Sequence, residues 1–403
     1  MSSEVPEGWM VTKLGDVASL SGGTTPARDN SAYWIGGEVP WATPSDITSL
    51  PAGERRISHT DGLVNSLALE ECSLKLHPAG TVLMTSRATI GYAAINDVPM
   101  TTNQGFLAFR CTDETAPEFL CQWLNANRSN LVAAAGGSTF KELGRGTAKL
   151  LPILRPPLDE QQRIAEVLGS VDEMIRLAGQ VARATRTTFN RLIDDLHCQN
   201  ESNIAPLSTF CVPKGLQTGP FGSQLKVSDY VDHGVPVLMP TDLRPDGIDF
   251  SGAKATSFEK FAQLKQHGLV VGDILFSRRG DVEKCGVYLE GDPVAMCGTG
   301  CLRARIDPRK ADPMLIYFLV QSERCGRWLT QNAVGLTMPN LNTSIIGSLP
   351  VSNLPIAEQR SWVDALLLAE GACRANETYS AGLDQLKSAI SSDLLSGRVR
   401  VPA

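Results

Sequence analysis

The side chains that could perform catalysis are few and complete no catalytic motif. Asp281-Val282-Glu283-Lys284 resembles the carboxylate–lysine end of a nuclease site, but Val282 stands where the second carboxylate should be. The glycine-rich segment Ser21-Gly22-Gly23-Thr24-Thr25-Pro26 lacks the lysine of a phosphate-binding loop and ends in a proline. The five histidines form no His-x-x-x-His pattern. These absences predict a protein that is not an enzyme and uses no cofactor.

The cysteines favour a reducing compartment. The ten cysteines include no Cys-x-x-Cys pair, which predicts reduced thiols in a cytoplasmic protein. Cys285, Cys297 and Cys301 lie near one another in the sequence, but their spacing is not that of a usual zinc site. We therefore interpret them as buried free thiols rather than metal ligands.

A second set of polar and basic residues has the chemistry of DNA contacts. Arginine can read guanine through two hydrogen bonds, while lysine, serine and threonine commonly hold phosphates. Arg87 and Arg278 each follow a serine after a β-like run, and we predict that they occupy equivalent places. The predicted DNA-binding residues are Ser86, Arg87, Thr139, Lys141, Arg145, Ser277, Arg278, Arg279 and Lys284.

An internal repeat positions these residues twice. The segment from Leu151 to Leu196 reappears without a gap from Leu349 to Leu394, a shift of 198 residues. Further upstream the repeat continues in five ordered blocks with small insertions, and Gly80-Thr81-Val82-Leu83-Met84 matches Gly272-Asp273-Ile274-Leu275-Phe276. A duplicated chain can present two similar surfaces from one polypeptide, as a pseudo-dimer with a pseudo-twofold axis.

Two long helices separate the repeated globular parts. An apolar seam in steps of three and four predicts a helix over residues 159–196, and it consists of Ile164, Leu168, Val171, Ile175, Ala178, Ala182, Thr185, Phe189, Leu192 and Leu196. Its copy over residues 357–395 has the same frame with a polar middle. We predict that the two helices form an antiparallel coiled coil, in which a polar middle can fix the register.

The complete pattern is globular, helical, globular, helical. The 403 residues carry a net charge of −6 and are 42% hydrophobic, and no segment is apolar enough to cross a membrane. We predict an α/β (α+β) protein, with two similar mixed α/β domains at residues 1–150 and 204–348 and helical regions at 151–203 and 349–403. Residues 1–150 have a net charge of −4 and residues 204–350 have +1. The acidic total is compatible with DNA binding because phosphate contacts need only a local basic face.

The ordered motifs of this chain resemble the specificity (S) subunits of type I restriction-modification systems. The resemblance covers nearly the whole chain and rests on Pro6-Glu7-Gly8-Trp9, Lys13-Leu14-Gly15-Asp16-Val17, Tyr33-Trp34, Val39-Pro40-Trp41, Pro78-Ala79-Gly80-Thr81-Val82, Thr85-Ser86-Arg87-Ala88-Thr89-Ile90-Gly91, Thr102-Asn103-Gln104-Gly105-Phe106, Gly137-Ser138-Thr139-Phe140-Lys141-Glu142-Leu143, Pro156-Pro157-Leu158 and Glu160-Gln161. The second half departs from this pattern. Thr337-Met338-Pro339-Asn340-Leu341 replaces Thr139-Phe140-Lys141-Glu142-Leu143, and Gly298-Thr299-Gly300 replaces Asn103-Gln104-Gly105.

The resemblance implies two target recognition domains, each reading one half of a split site in double-stranded DNA. It implies that the helices set the spacing between the half-sites and dock two methyltransferase (M) subunits. Restriction/translocase (R) subunits would join the full complex, and these partners would supply the catalysis.

Two other interpretations remain open on the sequence. One is a recognition subunit of a related restriction system in which methylation and cleavage share one partner chain. The other is a duplicated coiled-coil scaffold that binds proteins and no DNA. The polar and basic loops of each half favour DNA binding over the scaffold.

Overall fold

The computed structural model describes residues 5–137, 141–199, 203–244, 247–335 and 339–401. The chain divides into two compact units, of which the first is Met1–Val181 with Asn376–Ala403 and the second is Ala182–Ala375. Both boundaries between the units fall inside long helices. No helix of the described part is long and apolar enough to cross a membrane.

The first unit is built on short strands. These are β1 (Met10–Lys13), β2 (Ala18–Gly22), β3 (Val39–Ala42), β4 (Arg56–Ile57), β5 (Gly62–Val64), β6 (Val82–Thr85), β7 (Ala93–Asn96), β8 (Thr101–Thr102), β9 (Phe106–Cys111) and β10 (Pro152–Arg155). The helices are α1 (Leu14–Val17), α2 (Pro44–Thr48), α3 (Ser66–Glu71), α4 (Pro117–Ala126), α5 (Arg128–Ala134), α6 (Arg145–Leu150) and the long α7 (Leu158–Gln199). The strands form sheets in the orders β2-β9-β6-β7-β4, β5-β3-β8 and β1-β10.

The second unit repeats this plan. Its strands are β11 (Ile204–Pro206), β12 (Cys211–Thr218), β13 (Tyr230–Val231), β14 (Val235–Leu238), β15 (Leu243–Arg244), β16 (Gly247–Ile248), β17 (Lys254–Thr256), β18 (Asp273–Ser277), β19 (Cys285–Val287), β20 (Met296–Cys297), β21 (Cys301–Ile306) and β22 (Pro350–Ser352). The helices are α8 (Phe258–Gln263), α9 (Pro313–Val320), α10 (Glu323–Asn332), α11 (Thr343–Gly347) and the long α12 (Ile356–Ser396). The two larger sheets have the orders β12-β21-β18-β19 and β13-β17-β14-β20.

The central strand of each main sheet is buried on both faces. Side chains alternate between the faces of a strand, so Val82 and Met84 of β6 join the core that includes α4, while Leu83 joins the core beneath β3. In the second unit Ile274 and Phe276 of β18 face one core, and Leu275 faces the other. The main sheet of each unit therefore lies between a helical layer and a second sheet, which has three strands in the first unit and four in the second.

The predicted long helices are confirmed and are slightly longer than the seam indicated. In the first unit, residues 158–181 of α7 pack against residues 376–396 of α12, with Ile175 and Leu383 in one apolar cluster. Glu160, near the start of α7, binds Arg400 beyond the end of α12, and Asp172 binds Lys387. The residue numbers of the contacts rise along α7 while they fall along α12, so the two helices are antiparallel, as predicted.

A repeated glutamine fixes the start of each long helix to its own unit. The Gln161 amide donates to the Pro156 carbonyl at 2.9 Å and accepts from the Ala116 backbone at 3.0 Å. Gln359 makes the same two contacts, with the Leu354 carbonyl at 2.8 Å and the Asp312 backbone at 2.6 Å. The paired Glu-Gln motif of the sequence therefore has a structural role at the glutamine.

Candidate nucleic-acid interface

The loops that carry the predicted DNA-binding residues of the first unit meet at one edge of its main sheet. β9 lies between β2 and β6 and runs antiparallel to both, so the ends of β2 and β6 and the start of β9 lie together. We call this the first loop edge, and it comprises the described segments 23–25, 86–91, 103–105 and 141–145. The sequence placed these segments far apart, and the antiparallel ladder brings them into contact.

Ser86 connects the parts of the first loop edge through its backbone. Its N–H donates to the Gly105 carbonyl at 2.7 Å, and its carbonyl accepts from Leu143 at 2.9 Å. Ser86 is buried, so its hydroxyl lies inside the fold. The structure thus gives this predicted DNA-binding residue a positioning role for the exposed residue that follows it.

Arg87 is the half-exposed cation of the first loop edge. Its side chain is 44% exposed, and its Nε lies 3.0 Å from a carboxylate oxygen of Glu142. Lys141 and Arg145 are exposed nearby in sequence, with Arg145 opening α6. Thr139, also predicted to bind DNA, lies outside the described residues.

An aromatic residue and a further arginine flank the Arg87 loop. The loop closes where the Thr85 N–H donates to the Tyr92 carbonyl at 2.9 Å. The Arg128 guanidinium lies 3.5 Å from the centre of the Tyr92 ring, a cation–π contact. Sequence analysis missed Arg128 because it lies in α5, well away from any loop motif, and only its packing against Tyr92 reveals its position.

The second unit has a corresponding second loop edge, where the ends of β12 and β18 meet the start of β21. It comprises the described segments 219, 278–284, 298–300 and 339–343. Arg278 donates its N–H to the Gly300 carbonyl at 2.9 Å, and its carbonyl accepts from Leu341 at 2.9 Å. These are the bonds that Ser86 makes in the first unit.

The predicted equivalence of Arg87 and Arg278 is therefore wrong by one residue. Ser86 corresponds to Arg278, and Arg87 corresponds to Arg279. The backbone after these residues agrees, because Ala88 and Gly280 both adopt positive φ, at 54° and 76°. The sequence match aligned the two Ser-Arg pairs by residue type. The hydrogen-bonded ladders set the true register: Thr85 pairs with Phe106 and Ser277 pairs with Cys301, so Thr85 corresponds to Ser277.

The side chains of the second loop edge divide accordingly. Arg278 is only partly exposed and donates from Nε to the Leu341 carbonyl at 3.2 Å. Ser277 is buried, and its hydroxyl donates to the Arg279 carbonyl at 3.1 Å. Arg279 is exposed, and Lys284 is exposed with its ammonium 3.5 Å from Asp281. Arg279 is thus the cation presented to solvent at the position of Arg87.

The two loop edges offer hydrogen-bond donors and positive charge. The buried thiols of the second unit are unreactive. Burial raises the pKa of the Cys285 and Cys297 thiols to about 12, so both are protonated at neutral pH. Burial also raises the pKa of Cys301. Within the described ranges, no group of three or more His, Cys, Asp or Glu side chains could hold a metal ion. The arrangement is suited to binding an anion.

Comparison with known proteins identifies the first unit. Residues 6–182 match the family model described as the type I restriction modification DNA specificity domain. The match ends within one residue of Val181, where α7 leaves the first unit. The chain is 40% identical over 179 residues to the type I restriction enzyme MjaIX specificity subunit of Methanocaldococcus jannaschii, covering 43% of this chain and 40% of that protein. It is 25% identical over 169 residues to the EcoR124I/EcoR124II specificity subunit of Escherichia coli, covering 40% of each. The matched segment thus spans about two fifths of the length of these relatives.

The fold comparison extends to the whole chain. The type I restriction-modification S subunit from M. genitalium superposes with a TM-score of 0.58 at 14% identity, over 98% of each chain. A chain from a structure of type I restriction-modification complex assembly and conformational transition also gives 0.58, at 18% identity, over 98% of this chain and 100% of that one. At these identities the likeness concerns the fold, which has two domains and a long helix between them. The domain match and the shared fold agree: residues 6–182 are similar to the type I restriction modification DNA specificity domain, and the whole chain has the fold of type I S subunits.

Proposed function

We propose that this chain is the non-catalytic subunit that selects the DNA sequence for a type I restriction-modification complex in the cytoplasm. The carrying observation is that each unit presents an exposed arginine, Arg87 or Arg279, at the same turn of a similar loop edge. Two similar but unequal edges suit a split and asymmetric DNA target. The residues 1–150 and 204–348 would each read one half of that target.

The side chains of the two edges support a division of labour. Arg87 and Arg279 have the geometry of exposed donors that can reach a base edge, where a bidentate contact to guanine is favoured. Lys141, Arg145 and Lys284 are exposed cations suited to phosphates, which position the protein on the duplex. Ser86, Ser277 and Arg278 would act by holding the loops.

The helices would dock the partners that carry out methylation and cleavage. Val167, Met174, Leu177 and Val181 are 36% to 52% exposed on α7 and recur at spacings of seven, three and four. Such a stripe fits the apolar face of another helix. We propose one methyltransferase subunit on each side of the helix pair, with restriction subunits joining them.

The same helices would set the spacer between the half-sites. Each residue adds about 1.5 Å to a helix, so a heptad adds about 10 Å, close to three base pairs of DNA. Matched heptad insertions near Ala182 of α7 and near Asn376 of α12 keep the apolar seam in phase. The recognised spacer should then lengthen while both half-sites stay the same, and unchanged activity on the original spacer would contradict this role.

The decisive experiment is to purify the native complex, identify its partners and measure binding to its cognate DNA. Arg87→Ala and Arg279→Ala should each cost about 1–3 kcal/mol and relax one base in a different half-site. Arg110→Ala and Arg309→Ala are matched controls, because both arginines are exposed and lie away from the loop edges, Arg110 near the far end of β9 and Arg309 just after the far end of β21. If both edge variants keep full sequence-specific binding, the loop edges are not the interface. A chain that co-purifies with protein partners but never binds DNA would instead be a scaffold.

A further inference from the structure

The two loop edges differ in what faces the exposed arginine. In the first unit Arg87 and Glu142 are joined as an isolated backbone bridge, and their side chains form the 3.0 Å ion pair. In the second unit Arg279 and Asn340 form the corresponding bridge. Asn340 carries no charge, and no ion pair to Arg279 occurs in the part of the chain that the structure describes. The backbone is the same, and a single carboxylate distinguishes the two edges.

We propose that Glu142 masks Arg87 in the DNA-free protein, so that the first unit engages DNA only where a base contact replaces the ion pair. This inference rests on the proposed function and names a residue that sets the selectivity of the first reader. Arg279 has no such competitor and is available for the first, sequence-independent encounter. The two loop edges therefore have different roles. The second loop edge binds DNA first and without regard to sequence, and the first loop edge binds only where the sequence offers the right base contact.

The strength of the ion pair suits this role. With side chains 44% and 46% exposed, the pair is screened by solvent. Exposed pairs of this kind change an equilibrium by about 1.5- to 5-fold. A bidentate contact between arginine and guanine discriminates by about 5- to 150-fold. The free energy of a guanine contact is thus larger than that of the Arg87–Glu142 ion pair. The gain from a loose phosphate contact, by contrast, is largely offset by the loss of the ion pair.

The test exchanges the two states between the units in the full-length chain. Glu142→Gln unmasks Arg87, and Asn340→Glu masks Arg279. Glu118→Gln is the matched control for lost charge, because Glu118 on α4 forms a similar half-exposed pair with Arg56 on β4. Gln263→Glu, on the exposed surface of α8, is the control for added charge.

Two measurements are made on each variant. The first is the affinity for a fluorescent mixed-sequence 30-base-pair duplex, from anisotropy at low and moderate salt. The second is the rate at which phenylglyoxal modifies Arg87 and Arg279, read by mass spectrometry without DNA. We expect Glu142→Gln to tighten duplex binding about two- to fivefold beyond Glu118→Gln, and to speed modification of Arg87. Asn340→Glu should weaken binding by a similar factor beyond Gln263→Glu and slow modification of Arg279.

The outcomes separate this inference from the proposed function. If the wild-type chain binds the duplex but Glu142→Gln matches Glu118→Gln in both measurements, masking is wrong and the DNA-binding role stands. If no variant binds the duplex while the modification rates change as expected, Glu142 shields Arg87 but the proposed function fails. If neither the wild-type chain nor any variant binds the duplex and the modification rates also stay unchanged, both are overturned.

Discussion

The buried charge cluster where α7 and α12 pair in the first unit allows a quantitative prediction. The Asp172 carboxylate accepts from the Lys387 ammonium and from the Gln122 amide at 2.6 Å, and Arg55 lies 3.3 Å away. The side chains of Asp172 and Lys387 are only 5% and 12% exposed. Lys387→Met would leave a buried carboxylate without its nearest cation, which usually costs about 3–5 kcal/mol.

We expect the low end of that range for Lys387→Met. Arg55 and Gln122 still contact the carboxylate, so the free energy of unfolding should fall by about 3 kcal/mol. Adding Asp172→Leu removes the stranded charge and should recover at least 2 kcal/mol of that loss, because a buried ion pair replaced by apolar side chains is often nearly neutral. The double variant still leaves the Gln122 amide without its acceptor, which costs about 1 kcal/mol.

A double-mutant cycle by urea unfolding, followed by tryptophan fluorescence, measures this coupling. Asp172→Leu alone completes the cycle, and Arg360→Met is the control for a lost surface cation, since the Arg360–Asp364 pair is exposed. The expected coupling between positions 172 and 387 is at least about 2 kcal/mol. Additive effects of the two single substitutions, within about 0.5 kcal/mol, would show that the cluster does not join the helices energetically.

Two further predictions concern single buried positions. Burial, reinforced by the positive charge of Lys75, lowers the pKa of His77 from 6.5 to about 4, so the unfolded chain binds a proton that the folded chain rejects. The neutral His77 side chain contributes stability that is fully present above pH 6.5 and is lost as the pH falls to about 4, by about 3 kcal/mol in total. His77→Gln should remove that part of the acid sensitivity in urea titrations at several pH values. An unchanged dependence of the free energy of unfolding on pH would contradict this prediction. A Cβ at Gly219 would lie 1.9 Å from the Gly298 carbonyl oxygen, so Gly219→Ala should destabilise the second unit by about 3 kcal/mol, whereas Gly222→Ala, with open space around its Cβ, should melt like the wild type.

The long helices were predictable because their signal is periodic and extended. The seam residues Ile164, Leu168 and Ile175 are all almost completely buried. The polar middle of the second helix was also visible, and Lys387 occupied a seam position in the sequence frame. Its partner could not be foreseen, because Asp172 lies beside the seam of the first helix and the contact depends on how the two helices are staggered.

The loop edges were predictable in composition but not in register. Ser86-Arg87 and Ser277-Arg278 are the same two residue types. The preceding strand block, however, aligns Met84 with Phe276, so Ser277 corresponds to Thr85 and the two Ser-Arg pairs are offset by one residue. Ladder hydrogen bonds fix the register and outweigh similarity of side chains. Gly280 was the better guide to the register. A glycine readily adopts the positive φ that follows Arg279, and Ala88 adopts a positive φ after Arg87, so Gly280 aligns with Ala88. Glu142 was quoted only as part of a motif, since its role depends on a contact across 55 residues.

The duplicated positions show how one fold has come to hold two different interiors. The shift of 198 residues carries Asp172 to Glu370 and Phe189 to Lys387. In the first unit the carboxylate is bound by a lysine from the other long helix, whereas Glu370 is bound at 2.8 Å by Arg374, one turn along its own helix. Phe189, the residue that matches Lys387, packs instead against Phe318 of α9, with ring centres 5.9 Å apart.

This exchange has a physical consequence for specificity. An ion pair buried between helices has a strict requirement for geometry and little net stability to offer, whereas an aromatic pair contributes about 0.5–1.5 kcal/mol beyond the burial of its surface. In the first unit the ion pair therefore fixes the register of α7 against α12, whereas in the second unit the matching carboxylate stays on its own helix and the matching aromatic ring packs against α9.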